Sequence, residues 1–302
     1  PYGQLSLAAK STSKLRLGTG VTNPITRDSA VTAGALATLQ VESGGRAICG
    51  IGRGDSSATY IGKKQATSKQ MIDYVHQLRT YLAGGTVNRD GKESSMRWIE
   101  PGDIQPVTID IACTGPKTIE LAADIADRVT FAVGSATERI EWAMGVFNAR
   151  MAVNGRNRDD VSVGAYLNLI CDNDDERAVK LAYTCAGLVA HFSGMEHSPT
   201  EHLPEMIKNY AETLKSEYDM SHHGQEEGTH LKLINEEFIR WIAIVGGPEY
   251  CIERIKHLVD VVGLQHISLL GGSPVARPHG PRVLGAVDTM ELFAKEVLPV
   301  FA

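Results

Sequence analysis

Short apolar or β-branched runs alternate along this chain with longer stretches of helical period, the pattern of a parallel α/β fold. The first twelve residues read as a helix with Tyr2, Leu5 and Ala9 on one side, and Leu15 to Gly20 follows as a strand. Asp28 is placed to cap the next helix, where Val31, Ala35 and Leu39 recur on one face. Ser43-Gly-Gly45 ends that helix, and Arg46 to Ile51 is the next strand. Met71, Val75, Leu78 and Leu82 mark another amphipathic helix, stopped by Gly84-Gly85. Residues 86–106 are polar, with Trp98 and two prolines, and read as a loop or small hairpin.

Val107 to Ala112 is a strand, Leu121, Ala122 and Ile125 belong to the helix after it, and Val129 to Val133 is the next strand. A helix from about Thr137 to Val153 follows, whose Trp142, Met144 and Phe147 read as core, and Val161 to Cys171 is strongly β-prone. From Asp172 to Glu237 the sequence turns helical and rich in charge; that is too long for an ordinary connection and predicts an inserted helical subdomain, 172–237, within one domain of 1–302. Arg240 to Val245 reads as extended, the Pro248 helix turns Cys251, Ile255 and Leu258 inward, and His266 to Leu270 is the last strand.

Composition narrows the class. Hydrophobic content of 43% and charged content of 22% are those of a globular protein, and a net charge of −6 argues against a nucleic-acid partner. No apolar run is long enough to cross a bilayer, so no membrane partner is expected. The five cysteines, Cys49, Cys113, Cys171, Cys185 and Cys251, form no CxxC pair, which points away from structural zinc and from a disulfide framework. A reducing cytoplasm is the simplest home for them. His222, His223, Glu226, Glu227 and His230 look like a metal cluster on paper, but they match no established ligand spacing and read as a solvated loop, so no metal is expected.

Candidate chemistry lies in glycine-rich turns at successive strand ends: Gly18-Thr-Gly-Val-Thr-Asn-Pro24, Gly50-Ile-Gly-Arg-Gly-Asp55, Thr114-Gly-Pro116 and Val133-Gly-Ser135. Glycine there lets backbone N–H groups approach a ligand with no Cβ in the way. A dinucleotide fingerprint is the rival reading of Gly50-x-Gly-x-Gly54, but no third glycine opens a helix after it. Arg277, His279 and Arg282 follow the last strand and could meet an anionic group or form a plain surface loop.

Leu17-Gly-Thr-Gly-Val-Thr-Asn-Pro24, Arg27, Thr38-Leu39 and Gly45-Arg46, closing on Gly50-Ile-Gly-Arg-Gly-Asp55, resemble the bacterial-luciferase-like superfamily of flavin- and deazaflavin-dependent oxidoreductases. The methylenetetrahydromethanopterin reductase-like branch is the nearest, and Ala112-Cys-Thr-Gly-Pro116 and Gly271-Gly-Ser-Pro274 agree with it. The resemblance implies a TIM-like (β/α)8 barrel with its first β-α-β unit missing from this sequence and a helical insertion before the last βα unit. Relatives carry acidic and histidine residues on the second missing strand, so the resemblance assigns no catalytic residue here.

What it does imply is a cofactor site. Gly20-Val21 would be a non-proline cis peptide forming a bulge against the central ring, bending it toward its reduced form. Thr22 and Asn23 would line the same face, and Gly54, Asp55 and Ser56 the ring's edge. Asp55 could equally be a helix cap. Thr114, Gly115 and Pro116 lead into a helix whose free N–H groups suit a phosphate, and Val133, Gly134 and Ser135 would complete that pocket. The implied cofactor is coenzyme F420, a deazaflavin, or FMN. The implied reaction is hydride transfer between the reduced ring and a small organic substrate, in a homodimer. Two other readings stay open at this level: an FMN-dependent monooxygenase fed by a separate flavin reductase, and a non-catalytic flavin-binding relative.

Overall fold

A computed structural model describes residues 1–193, 203–217, 234–271 and 285–301. Two compact units divide the chain. The first comprises Pro1–Ala112 with Leu121–Val129, and the second comprises Cys113–Glu120 with the described residues from Thr130 onward.

The first unit runs α1 (Tyr2–Ser11), β1 (Leu17–Gly18), α2 (Ser29–Ser43), β2 (Ala47–Ile51), α3 (Ser56–Thr59), α4 (Ser68–Leu82), β3 (Thr86–Arg89), β4 (Lys92–Ser95) and β5 (Thr108–Cys113). β1, β2 and β5 pair in parallel, with Gly18 opposite Ile48 and Cys49 opposite Ile109. Every residue of β2 is buried, as expected of a strand covered on both faces. Local chemistry sets the boundaries. The Asp28 carboxylate accepts from the Ala30 N–H at 2.8 Å and starts α2, and Gly44 ends it at φ +66°. Thr67 and Gln70 form a reciprocal capping box that starts α4. The small hairpin is β3–β4, turned by Asp90 and Gly91 at φ +53° and +84°, the Asp-Gly pairing that a two-residue turn of this hand requires.

In α4 the predicted stripe Met71, Val75, Leu78 and Leu82 is buried. In α2 it is not. Val31 is exposed, and the inward face is Ser29, Thr32, Ala33, Leu36, Ala37, Leu39, Gln40 and Ser43. Polar members sit there because they have partners: Thr32 pairs with the Tyr74 hydroxyl at 2.6 Å, and Gln40 donates to the Gln105 and Pro106 carbonyls at 3.1 Å.

α5 (Pro116–Ile125) and β6 (Arg128–Phe131) carry the chain from one unit to the other. The second unit continues with α6 (Thr137–Asn154), β7 (Ser162–Cys171), α7 (Asp175–Ser193), α8 (Glu205–Glu217), α9 (Glu236–Ile242), β8 (Ile244–Gly246), α10 (Pro248–Lys256), β9 (His266–Leu270) and α11 (Gly285–Leu292). β7 pairs in parallel with β9 over Gly164–Asn168 and with β8 over Leu169–Cys171. Ala178 and Ala182 of α7, Ile207 of α8 and Phe238 and Ile242 of α9 share one buried cluster with Ile170 of β7 and Val245 of β8.

One expected element is corrected here. Arg240, Trp241 and Ile242 finish helix α9, and extended structure begins at Ile244. Asn235 caps that helix by accepting from the Phe238 N–H at 2.9 Å, and the Arg240 guanidinium pairs with Glu236 one turn back at 2.8 Å. Ile242, within the segment expected to be extended, instead joins Phe238 and Ile239 on the buried face of the helix. Among the described residues no helix is long and apolar enough to cross a membrane.

Candidate functional site

In the first unit the structure brings Gly20, Val21 and Thr22 beside the turn that carries Gly54, Asp55 and Ser56. Beyond β1 the chain stays parallel to β2: the Thr22 N–H donates to the Gly50 carbonyl at 2.8 Å, and the Gly52 N–H donates to the Thr22 carbonyl at 2.9 Å. The peptide between Gly20 and Val21 is cis. The approach of the two segments requires the glycines. A Cβ on Gly50 would lie 1.8 Å from the Thr19 carbonyl oxygen, one on Gly52 would lie 3.0 Å from Val21 Cγ2, and one on Gly54 would lie 2.7 Å from Asn23 Cγ. Gly54 also holds φ +79°, where L side chains are strained.

The run divides by exposure. Val21 is 41% exposed, whereas Thr22 is 2% and Asn23 4% exposed. The Asn23 Oδ1 accepts from the Ile25 and Thr26 N–H groups at 3.0 and 2.9 Å, and its Nδ2 donates to the Ser57 hydroxyl at 3.1 Å. Asn23 therefore braces the turn from behind, and Gly20 and Val21 are the members of the run presented outward. Tyr2 was legible in the sequence merely as part of a helix face. Its hydroxyl lies 3.4 Å from Thr22 Oγ1, and the Arg27 guanidinium stacks 5.4 Å over its ring. Asp55 occupies the position before α3, but its side chain makes no capping bond to that helix; its carbonyl accepts from Ala58 and Thr59 instead.

In the second unit the Ala132 N–H donates to the Cys113 carbonyl at 2.8 Å, which sets the turn Thr114-Gly115-Pro116 beside the turn Val133-Gly134-Ser135. Gly115 has open space where a Cβ would be. Gly134 sits at φ +87°, and a Cβ there would meet Ile242 at 2.7 Å. The donors of Ser135 are committed: its N–H to the Ile242 carbonyl at 2.8 Å and its hydroxyl to the Asn168 carbonyl at 3.2 Å. Its own carbonyl accepts from Arg254 at 3.3 Å, and the same guanidinium reaches Thr137 Oγ1 at 3.4 Å. Arg139, in the first turn of α6, is fully buried and stacks 4.9 Å over Trp142; burial pushes its guanidinium down to about 10, so it stays charged at neutral pH. Arg254 thus sets a cation beside the second turn, which suits an anionic ligand. Sequence patterning gave no signal for either arginine, since isolated arginines on helices are ordinarily surface residues.

Among the described residues no group of three or more histidine, cysteine or acidic side chains is placed to hold a metal. His222, His223, Glu226, Glu227 and His230, Gly272 to Pro274, and Arg277, His279 and Arg282 lie outside the described residues.

Comparison with known proteins places these turns in context. The family model for luciferase-like monooxygenases matches residues 1–265. The 5,10-methylenetetrahydromethanopterin reductase of Archaeoglobus fulgidus is 30% identical over 99% of this chain and 86% of that protein. The solved coenzyme F420 dependent tetrahydromethanopterin reductase of Methanopyrus kandleri aligns with a TM-score of 0.73 at 25% identity, covering 100% of this chain and 87% of that one. The FMN complex of the oxygenating constituent of 3,6-diketocamphane monooxygenase from Pseudomonas putida aligns at 0.65 over 99% of this chain and 83% of that one; at 15% identity it shares the fold. The fold is the α/β, luciferase-like TIM-barrel type that the glycine-rich turns suggested.

Proposed function

Because the chain belongs to the luciferase-like monooxygenase family, we propose that it is a coenzyme F420-dependent oxidoreductase that moves a hydride between the reduced deazaflavin and a small organic substrate. The observation that carries this reading is the platform made by exposed Val21 and the glycines that crowd against its segment. An apolar side chain held outward by side-chain-free backbone fits the flat face of a tricyclic ring better than it fits solvent. The relatives favour the deazaflavin over FMN: the two named above at 25–30% identity are methanopterin reductases, one of them named as F420-dependent, while the FMN-bound oxygenase shares the fold alone.

In this reading Gly20 and Val21 hold the ring face with buried Thr22 supporting them from behind, and Gly54, Asp55 and Ser56 hold its edge. Thr114 and Gly115 offer backbone N–H groups to a phosphate, Pro116 opens the helix behind them, and Val133, Gly134 and Ser135 form the turn beside them. Ser135 shapes that turn, while the charge complementary to a phosphate comes from Arg254. A bound deazaflavin supplies two-electron hydride chemistry and does not activate oxygen. The chain's own share is orientation, through a backbone that cannot retreat from the ring, and exclusion of water by an apolar face.

The reading also includes one domain over 1–302, with 172–237 as an insertion that shapes the substrate side, and a cytoplasmic homodimer supplied by a separate deazaflavin reductase. The test is anaerobic incubation with reduced F420 and candidate acceptors, beginning with 5,10-methylenetetrahydromethanopterin. Reoxidation of the deazaflavin that depends on acceptor and protein supports the reading. Product formed from reduced FMN and dependent on oxygen would replace it with the monooxygenase.

A further inference from the structure

Cys171 is the last residue of β7, and it stands in register with Gly246, the last residue of the neighbouring parallel strand β8. The Asp172 N–H donates to the Gly246 carbonyl at 3.0 Å, which holds the two strand ends together. Five residues after Gly246 the first turn of α10 returns the chain over that same carbonyl: the Cys251 N–H donates to Gly247 at 3.1 Å, and the Cys251 sulfur lies 3.5 Å from the Gly246 oxygen. The register and the helix turn therefore converge on Gly246, which brings Cys171 and Cys251 to the same strand end. Both side chains are buried.

We propose that Cys171 and Cys251 are a redox modification site, closing to an intramolecular disulfide when a small peroxide is the oxidant. A disulfide needs Cα atoms about 4.4–6.8 Å apart, and Gly246 is the shared neighbour that draws the two cysteines together, in register with Cys171 and 3.5 Å from the Cys251 sulfur. Cys49 and Cys113 are also buried and free, but Cys49 is held as an inert thiol, pushed up to about 12 chiefly by burial and secondarily by Asp110. Cys171 differs. The hydrogen bond from Cys251 pulls its thiol below the ordinary value despite burial, which makes it the attacking sulfur, while Cys251 is pushed up and keeps its proton.

The Cys171 thiolate attacks one peroxide oxygen, the O–O bond breaks, and the departing hydroxide takes up a proton to leave as water. The Cys171 sulfur is thereby oxidised by two electrons to a sulfenic acid. Cys251 sulfur then attacks the sulfenic sulfur; the S–S bond forms, the S–O bond breaks, and a second water leaves carrying the Cys251 proton. The balance is two thiols and one hydrogen peroxide to one disulfide and two waters. Burial favours this small neutral oxidant over a bulky one such as glutathione disulfide. The closed bond ties β7 to α10 around a loop that contains α7, α8, α9 and β8, so it constrains the unfolded chain strongly. The inference is independent of which cofactor the chain binds.

The test uses the full chain, treated with hydrogen peroxide at levels that leave its circular dichroism unchanged, then digested without reductant and mapped by mass spectrometry. The expected product is a Cys171–Cys251 cross-linked peptide, two hydrogens lighter than the free pair and reopened by dithiothreitol, in protein whose melting temperature has risen by several degrees. Cys251→Ser should stop at the first step, leaving a sulfenic acid on Cys171 that a cyclic dione traps. Both thiols left unmodified, sulfinic acid on either one without a cross-link, or links to Cys49, Cys113 or Cys185 would overturn the proposal. The wild-type map decides alone if the variant does not fold.

Discussion

Gly54 combines two demands that no other residue type meets: a left-handed backbone at φ +79° and an Asn23 side chain 2.7 Å from where a Cβ would stand. Gly54→Ala is expected to cost about 1–2 kcal/mol from the backbone conformation alone, measured by urea unfolding, and to weaken deazaflavin affinity at least tenfold in a fluorescence titration. Asp28 carries a different prediction. Its side-chain hydrogen bond to Arg89 holds the carboxyl below its ordinary value of 3.8, with a smaller contribution in the same sense from the Ala30 N–H and an opposing one from desolvation. A lowered carboxyl stabilises the fold fully above that ordinary value, and the contribution is lost as pH falls through the lower folded value. The pair is exposed, so the effect is small. Asp28→Asn retains a capping oxygen and loses the charge, and its unfolding free energy should decline less steeply below about pH 4. At this scale the glycine turns were legible because glycine is the one residue whose absence of a side chain is itself a signal. The bracing roles of Asn23 and Ser135 were not, because they depend on which carbonyls and N–H groups tertiary packing brings within reach.

Arg46 shows how one side chain fixes an element. Its guanidinium donates to the carbonyls of Ala9, Thr12, Leu15 and Ser43 and to the Thr12 hydroxyl, gathering the end of α1 and the entry to β1 onto the start of β2. Arg46→Ala is expected to lower stability by about 2–3 kcal/mol and to strip hydrogen-exchange protection from α1 while leaving α4 protected. In α9 the Asn235 cap decides where the helix starts, and Asn235→Ala should cost about 1 kcal/mol, read from thermal unfolding. Elements with one dominant apolar stripe, such as α4, could be read from period alone. α2 could not, because its buried face includes Thr32 and Gln40, whose burial is stabilised by Tyr74 and by the Gln105 and Pro106 carbonyls. α9 was misread for the opposite reason: β-branched residues favour strands on average, yet a good cap, a Glu236–Arg240 pair and a buried apolar face outweigh that preference.

For the molecule as a whole, the order of βα units and the glycine-rich strand ends specify a luciferase-like fold, and this fold serves both deazaflavin reductases and flavin oxygenases. The choice between them rests on the site and on the relatives at 25–30% identity. Substrate identity was not legible, because residues that shape a substrate pocket lie in loops and insertions, where sequence is least constrained by the fold. The most direct test is a single anaerobic stopped-flow experiment that mixes the protein with reduced F420 and 5,10-methylenetetrahydromethanopterin and follows the return of the oxidised deazaflavin's absorption. Hydride transfer predicts a protein-dependent return that needs no oxygen and is slowed by deuterium at the transferring carbon of the cofactor. No binding of the deazaflavin by either turn, together with oxygen-dependent turnover of reduced FMN, would contradict it.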